Sequence, residues 1–494
     1  MNLLVRDTLL VTVNEHDEVV QGDLLVRDGE IVSVGQRVDP AVARVDRVIE
    51  GRGFIALPGL VNAHCHLASY LFKGTHYDRP LEIWRQYGRA ARRTPGDRHL
   101  YAGALMGCLE MLRNGTTTVL DHHYSGLDAP FMGAESIAGA LRDSGMRSAM
   151  ALTIADRAYE DTVPLDATTL DYAARREAER ISAFENREGL EDCQRFLEAY
   201  RDASSLLSPM IGPSAPQRCS DPLLLACRDL AERYEVGLHM HLLETRTQAV
   251  QCQRLYGTSA VQHLAAIGFL NPRLSTPHSV WVGEEDLPLL AEHGVVPVHN
   301  PASNLRLGSG LAKVPAMLRQ GLAVALGTDG APSNDTQNMF DAVRLAALIH
   351  NPGEPDYERW LTPQQVLRMA TMGGARACQM AARCGSLEAG KRADVVLLRR
   401  GTPAFTPLND VYGQLVYCEN GSSVDTVLVD GRVVVEAGRS TLVDEAALTQ
   451  EVEALRRELD PLVDEETQRT RALEPSLRAM YLGAVAAFET SGQR

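Results

Sequence analysis

Two histidines stand two residues apart in Pro58-Gly59-Leu60-Val61-Asn62-Ala63-His64-Cys65-His66, at the end of an apolar run. In a strand, residues i and i+2 share a face, so both imidazoles can address one metal ion. A His-x-His pair also arises by chance, and three later stretches give this one weight. His239-Met240-His241-Leu242-Leu243-Glu244-Thr245 ends another apolar run. One of its histidines is a candidate third nitrogen ligand. Glu244 lies where a carboxylate can shuttle protons for a bound water, with a helix-capping role as the alternative. His278, in Ser275-Thr276-Pro277-His278-Ser279-Val280, is a lone histidine that could equally be a satisfied core residue. Asp329 ends an apolar run in Gly327-Thr328-Asp329-Gly330. A carboxylate there cannot be buried without a partner, and a metal ion or a protonated imidazole supplies one. Three nitrogens, one carboxylate and an open water position suit catalytic zinc, or iron(II). Such an ion lowers the pKa of water from about 16 toward about 7.

These side chains need a scaffold that gathers strand ends. Residues 57–384 alternate short apolar runs (116–121, 236–241, 294–299, 322–329) with helical stretches (99–114, 221–234, 285–292, 363–382). The class is α/β, and repeated βα units of this extent predict a (β/α)8 TIM-like barrel, whose strand C-termini carry the active site. Residues 1–56 and 385–442 read as strands, with hairpins about Asp28-Gly29 and Asp430-Gly431. They predict one small β-sandwich domain built from both ends; two separate β caps are the alternative. The charged stretch 156–204 reads as an elaborated βα connection, a solvated helix or else a lid. Residues 443–494 read as a helical extension, with Leu455, Leu459, Leu462 and Val463 spaced for a packing face.

The formal net charge of −15 leaves no basic excess to meet phosphates, which excludes nucleic acid and anionic membranes as expected partners. No apolar run reaches the ~18 residues of a membrane span, and the N-terminus lacks the pattern of a signal peptide. The nine cysteines are scattered, with no Cys-x-x-Cys pair, which fits a cytoplasmic protein, and the net charge says little about a small-molecule substrate.

Further stretches join the four elements: Leu71-Phe72-Lys73-Gly74, Asn114-Gly115-Thr116-Thr117-Thr118, Gly212-Pro213-Ser214-Ala215-Pro216, His299-Asn300-Pro301-Ala302-Ser303-Asn304 and Gly390-Lys391-Arg392-Ala393-Asp394. Together they resemble the amidohydrolase superfamily over nearly the whole chain. Within it, the chain is similar to the mononuclear aminohydrolases: triazine hydrolases, guanine and 8-oxoguanine deaminases, and methylthioadenosine/S-adenosylhomocysteine deaminases. The resemblance implies that the third ligand is His241, three residues before Glu244, so that one divalent ion sits on His64, His66, His241 and Asp329. It implies proton shuttling by Glu244, orientation of the attacking water by His278, and proton abstraction by Asp329. Binuclear relatives bridge two metals with a carbamylated lysine on a strand. The only lysines here are Lys73, Lys313 and Lys391, and Lys73, the one between His66 and His241, is badly placed for that role.

The implied activity is hydrolytic deamination of a purine, pterin, pyrimidine or triazine, in a homo-oligomer. Hydrolytic dechlorination or cyclic-amide opening on the same site is the alternative, and a non-catalytic scaffold the distant one. Expected substrate contacts are Trp84, in a loop that covers the heterocycle in relatives, with His122, Ser214 and Asn304. Ser214 departs from the nucleoside deaminases, which usually carry histidine there. Ala331-Pro332-Ser333-Asn334-Asp335 and Asp121-His122-His123-Tyr124 look more like the triazine and 8-oxoguanine members.

Overall fold

The computed structural model describes residues 2–75, 78–88, 96–124, 130–157, 159, 162 and 189–490, with backbone alone at 42 and 130–132. The N-terminal segment forms strands β1 (Asn2–Val11), β2 (Val19–Arg27), β3 (Glu30–Val34), β4 (Arg47–Glu50) and β5 (Phe54–Pro58). Gly59 then hands the chain directly to the barrel. A side chain there would lie 2.0 Å from Thr117 Oγ1, which explains the Pro-Gly before the first histidines.

Eight parallel strands follow in sequential order: β6 (Leu60–Cys65), β7 (Thr116–His123), β8 (Arg147–Ile154), β9 (Leu207–Pro213), β10 (Leu238–His239), β11 (Leu274–Pro277), β12 (Val296–His299) and β13 (Ala325–Leu326). Their residues are buried on both faces almost throughout, as helix-covered parallel strands require. The backbone amides of Thr328 and Asp329 donate to the His64 carbonyl at 3.2 and 2.9 Å, joining the last strand to the first. The chain is a TIM-like (β/α)8 barrel. Its closure point lies between two of the candidate ligands.

Local signals place the covering helices. Ser220 caps Asp221–Tyr234 and Thr245 caps Arg246–Tyr256, each accepting from the amide three residues on. The helix expected over 363–382 is broken. Pro363–Arg368 passes into a π-turn at Met369–Gly373 and then Gly374–Ala377. The cause is close packing under the barrel, where a side chain on Gly373 would lie 2.2 Å from the Val324 carbonyl oxygen. Only part of the 156–204 stretch is described; its last helix, Leu190–Tyr200, buries Cys193, Phe196 and Leu197, and the expectation for 163–188 lies outside the described residues.

After the barrel come β14 (Val395–Arg399), β15 (Val424–Val429), β16 (Arg432–Glu436) and β17 (Arg439–Ser440). Strand β14 pairs antiparallel with β5, so both ends of the chain form one mixed sheet, ordered β17-β16-β15-β14-β5-β1-β2-β3, with β4 on β1. The sheet folds over a core shared by Leu3, Val26 and Ile31 from one end and Val395, Leu397 and Leu428 from the other. Both expected hairpin turns form, with positive φ at Asp28, Gly29, Asp430 and Gly431. The C-terminal region is helical: Glu445–Glu458, then Asp460–Thr490. Among the described residues, no helix is long and apolar enough to cross a membrane.

The barrel and the small sheet share a buried ion cluster. Arg147, on β8 and 1% exposed, donates through Nε and Nη2 to Asp394 at 2.6 and 3.0 Å, and to Asp430 at 2.8 Å. Arg147→Met would leave Asp394 buried and unpaired, at a cost of about 3–5 kcal/mol. The urea-unfolding midpoint should fall accordingly, and an unchanged midpoint would contradict this role.

Candidate metal centre

The candidate ligands sit at or just beyond strand ends. His64 is in β6 and His66 one residue past it; His241 lies two past β10, His278 one past β11 and Asp329 three past β13. Left-handed backbone at Leu243 (φ 45°), His278 (φ 70°) and Asp329 (φ 65°) turns these segments at the barrel mouth. Such conformations are costly for non-glycine residues and cluster at functional sites.

Three imidazoles and a carboxylate converge. His64 Nε2 and His66 Nε2 lie 3.4 and 3.3 Å from Asp329 Oδ1, and His241 Nε2 lies 3.4 Å from His66 Nε2. Each ring is aimed by what lies behind it. His66 Nδ1 donates to the His122 carbonyl and His241 Nδ1 to the Ser214 carbonyl, both at 2.7 Å. Those bonds keep the proton on Nδ1 and leave the Nε2 lone pairs facing inward. Behind His64, Nδ1 lies 2.9 Å from His239 Nε2, and His239 Nδ1 lies 2.7 Å from Ser275 Oγ, which reaches the Leu238 carbonyl at 3.3 Å. Every donor in that chain has an acceptor when His64 carries its proton on Nδ1. His64 Nε2 is then a buried nitrogen with no hydrogen-bond partner among the described residues. A cation would satisfy it, so the donor set fits a divalent metal ion. His239 thus stands behind the site while His241 faces it.

The protonation states agree. Burial pushes His64 down to about 3 and lowers His66 and His241, so all three are neutral ligands at pH 7. Burial alone would raise Asp329, but the imidazoles of His64, His66 and His278 around it hold it well below the usual carboxylate range. Its Oδ1 accepts from the Gly330 amide at 2.8 Å, and its Oδ2 from the hydroxyls of Ser303 at 2.6 Å and Ser333 at 3.0 Å. Glu244 behaves oppositely. Burial pushes it up to about 7, His278 opposes the rise, and Asp329 and Glu82 reinforce it. Its Oε2 lies 3.7 Å from His278 Nε2. His278 Nδ1 in turn donates to Asn304 Oδ1 at 2.9 Å.

These groups open into a cavity of about 140 Å³, whose wall includes Trp84, Arg85, Tyr124, Ser214, Arg218 and Gln248 together with His66, His241, Glu244, His278 and Asp329. Trp84 reaches it from a short helix, Leu81–Tyr87, rather than from a loop. Two expected substrate contacts are placed elsewhere. His122 points into the barrel beneath the ligands, its ring centroid 4.5 Å from that of His241, and does not line the cavity. Tyr124, two residues further along β7's direction, lines it instead. Asn304 also lies off the cavity wall and holds His278. Lys73 points away from the ligands, 2.9 Å from the Tyr70 hydroxyl and 3.6 Å from Glu110. The sequence reading did not foresee Tyr124, Arg85, Arg218 or Ser275. Only Tyr124 carried a signal, the strand alternation that links it to His122.

The amidohydrolase family model matches residues 55–434. A 5-methylthioadenosine/S-adenosylhomocysteine deaminase of Desulforudis audaxviator is 36% identical over 462 residues, covering 93% of this chain and 99% of that protein. A 5'-deoxyadenosine deaminase of Methanosarcina mazei is 32% identical, covering 93% and 98%. Among solved structures, an adenosine deaminase from Xanthomonas campestris with bound zinc aligns with TM-score 0.81 and 28% identity, covering 92% of this chain and 98% of that one. An atrazine chlorohydrolase from Arthrobacter aurescens complexed with zinc gives TM-score 0.81 and 28% identity, covering 92% and 100%. Family match, near full-length relatives and shared barrel agree with the ligand constellation: the chain belongs to the amidohydrolase family.

Proposed function

We propose that the protein is a metal-dependent hydrolase that removes the amino group of a nitrogen heterocycle, with adenosine-type nucleosides as its substrate class. The observation that carries the reading is Glu244, a buried carboxyl pushed up to about 7, facing the same cavity as the neutral imidazoles of His66 and His241 and an ionised Asp329. A proton donor and a proton acceptor at one site are what C–N hydrolysis of an aromatic amine needs.

His64, His66, His241 and Asp329 would hold one divalent cation, zinc in our reading, and a bound ion would lower the pKa of water from about 16 toward about 7, so that it could attack at neutral pH. Asp329 takes the proton of the attacking water. His278, fixed by Asn304, orients that water and faces Glu244. Glu244 protonates the ring nitrogen next to the amino-bearing carbon and makes that carbon electrophilic. Asp329 passes its proton to the amino group, the C–N bond breaks as ammonia leaves, and the proton of the new hydroxyl restores Glu244. Water and the amine thereby become a ring carbonyl and ammonia. Trp84 and Tyr124 offer aromatic faces to the flat ring. The position of Lys73 supports one ion rather than two.

The relatives named for adenosine-type substrates favour the nucleoside reading. Ser214 on the cavity wall favours a second reading, a triazine-type ring, because the nucleoside deaminases resembled here usually carry histidine at that position. Ammonia release should be measured across 5'-deoxyadenosine, methylthioadenosine, adenosine, guanine and an aminotriazine. We expect the adenosine-type compounds to exceed the others in kcat/KM by roughly tenfold or more, a discrimination of about 1.4 kcal/mol. Preference for the triazine would replace the substrate class. No ammonia from any compound, with metal bound, would overturn the reading.

A further inference from the structure

The helix Asp460–Thr490 lies over the barrel mouth and grips elements that build the cavity wall. Its inward face is buried at Thr470, Met480, Ala484 and Phe488. The first grip is on the Leu81–Tyr87 helix, which carries Trp84 and Arg85. Thr470 Oγ1 donates to the Gln86 carbonyl at 3.2 Å, and the Tyr87 hydroxyl donates to Glu474 Oε2. Arg79 pairs with Glu474 Oε1 at 3.3 Å and lies 4.5 Å over the Tyr87 ring. The second grip is on the segment that follows His278. The Phe488 ring meets Trp281 edge-on, with centroids 4.8 Å apart, and Arg246 covers Trp281 at 4.5 Å. Pro475 falls between the two grips and removes one bond of the helix ladder, so each half can settle on its own target.

The gripped helix also reaches inward. Glu82 Oε1 accepts from the Thr245 hydroxyl at 2.6 Å, next to Glu244 in the chain. Thr245 caps the helix bearing Gln248, whose Oε1 holds the Glu244 amide at 2.8 Å. One face of Leu81–Tyr87 is therefore tied to the C-terminal helix and the other to the segment bearing Glu244. Trp84 sits between these ties.

We propose that the Asp460–Thr490 helix is a clamp on the outer wall of the substrate cavity, with Thr470 and Glu474 as positioning residues that hold Trp84 where the heterocycle binds and Phe488 anchoring the far end of the helix on Trp281. This rests on the deaminase reading above. A wall fixed before binding removes an ordering cost from substrate association, so loosening it weakens binding more than it slows chemistry.

The test uses full-length, metal-loaded protein with Thr470→Val, Glu474→Gln and Phe488→Leu, assayed on the substrate that the wild type turns over best. Each should raise KM by roughly three- to tenfold, with kcat within about twofold and metal content unchanged, as expected when uniform binding is lost. Tyr87→Phe, which removes the hydroxyl that donates to Glu474, should raise KM in the same direction, and the double variant with Glu474→Gln should fall short of the sum of the two. Amide hydrogen exchange over 81–88 should quicken in the variants while the barrel strands keep their protection. Unchanged KM, or unchanged exchange over 81–88, would overturn the clamp. So would exchange quickening across the whole barrel, which would make the helix a general stabiliser. Exchange needs no turnover, so a wild type that releases no ammonia sinks the deaminase reading while exchange still reports on the grip.

Discussion

Glu244→Gln should keep its full complement of metal and lose turnover by about 10²–10⁴-fold, the usual contribution of a positioned general acid. Glutamine keeps the shape of the side chain but has no proton to give. Glu244 is not among the proposed ligands, so the ion should stay. The pH profile supplies a second signature. With Glu244 pushed up to about 7 by burial, its protonated form is populated below that pH and is lost as pH rises through it. The wild-type kcat/KM should therefore fall on the alkaline side with a midpoint near 7, whereas the variant's residual activity should lack that limb. Near-wild-type turnover in Glu244→Gln would remove the residue from the mechanism.

Asp329→Asn should cost at least as much, on the order of 10³-fold or more, because one substitution removes both an anionic ligand and the base for water. Asparagine tolerates the left-handed backbone at φ 65°, so the turn should survive. Its side-chain oxygen can still accept from Ser303 and Ser333. What it cannot supply is the negative charge facing His64 Nε2 and His66 Nε2 at 3.4 and 3.3 Å. The variant should lose metal to a chelator faster than the wild type while unfolding at a similar temperature. Full activity, or unaltered metal retention together with full activity, would contradict the assignment.

Much of this was legible in the chain because each feature rests on local rules. Strand alternation puts His64 and His66 on one face, and Asp-Gly turns set both hairpins. Apolar runs ending in polar residues foretell a barrel mouth. Other features depend on distant partners. The strand carrying the third histidine shrinks to Leu238–His239, so periodicity alone did not separate His239 from His241. Their roles diverge through Ser275, in β11, and the Ser214 carbonyl, one residue past β9. His122 shares a strand face with Tyr124, yet depth along the barrel decides which of them meets the cavity. The 363–382 helix pattern carries no mark of its π-turn, which answers to the Val324 carbonyl beneath it. The C-terminal segment showed a packing face, but the targets of its Leu459, Leu462 and Val463 are Leu71 and Phe72, hundreds of residues away, and the contacts of Thr470, Glu474 and Phe488 carried no signal.

The central claim is that a single metal ion on His64, His66, His241 and Asp329 drives hydrolysis of the ring amine. The most direct measurement is titration of metal-stripped protein with zinc while ammonia release is followed. The account predicts no activity without metal, a linear rise, and a plateau at one ion per chain. Ammonia release from the stripped protein, or a plateau at two ions, would contradict it.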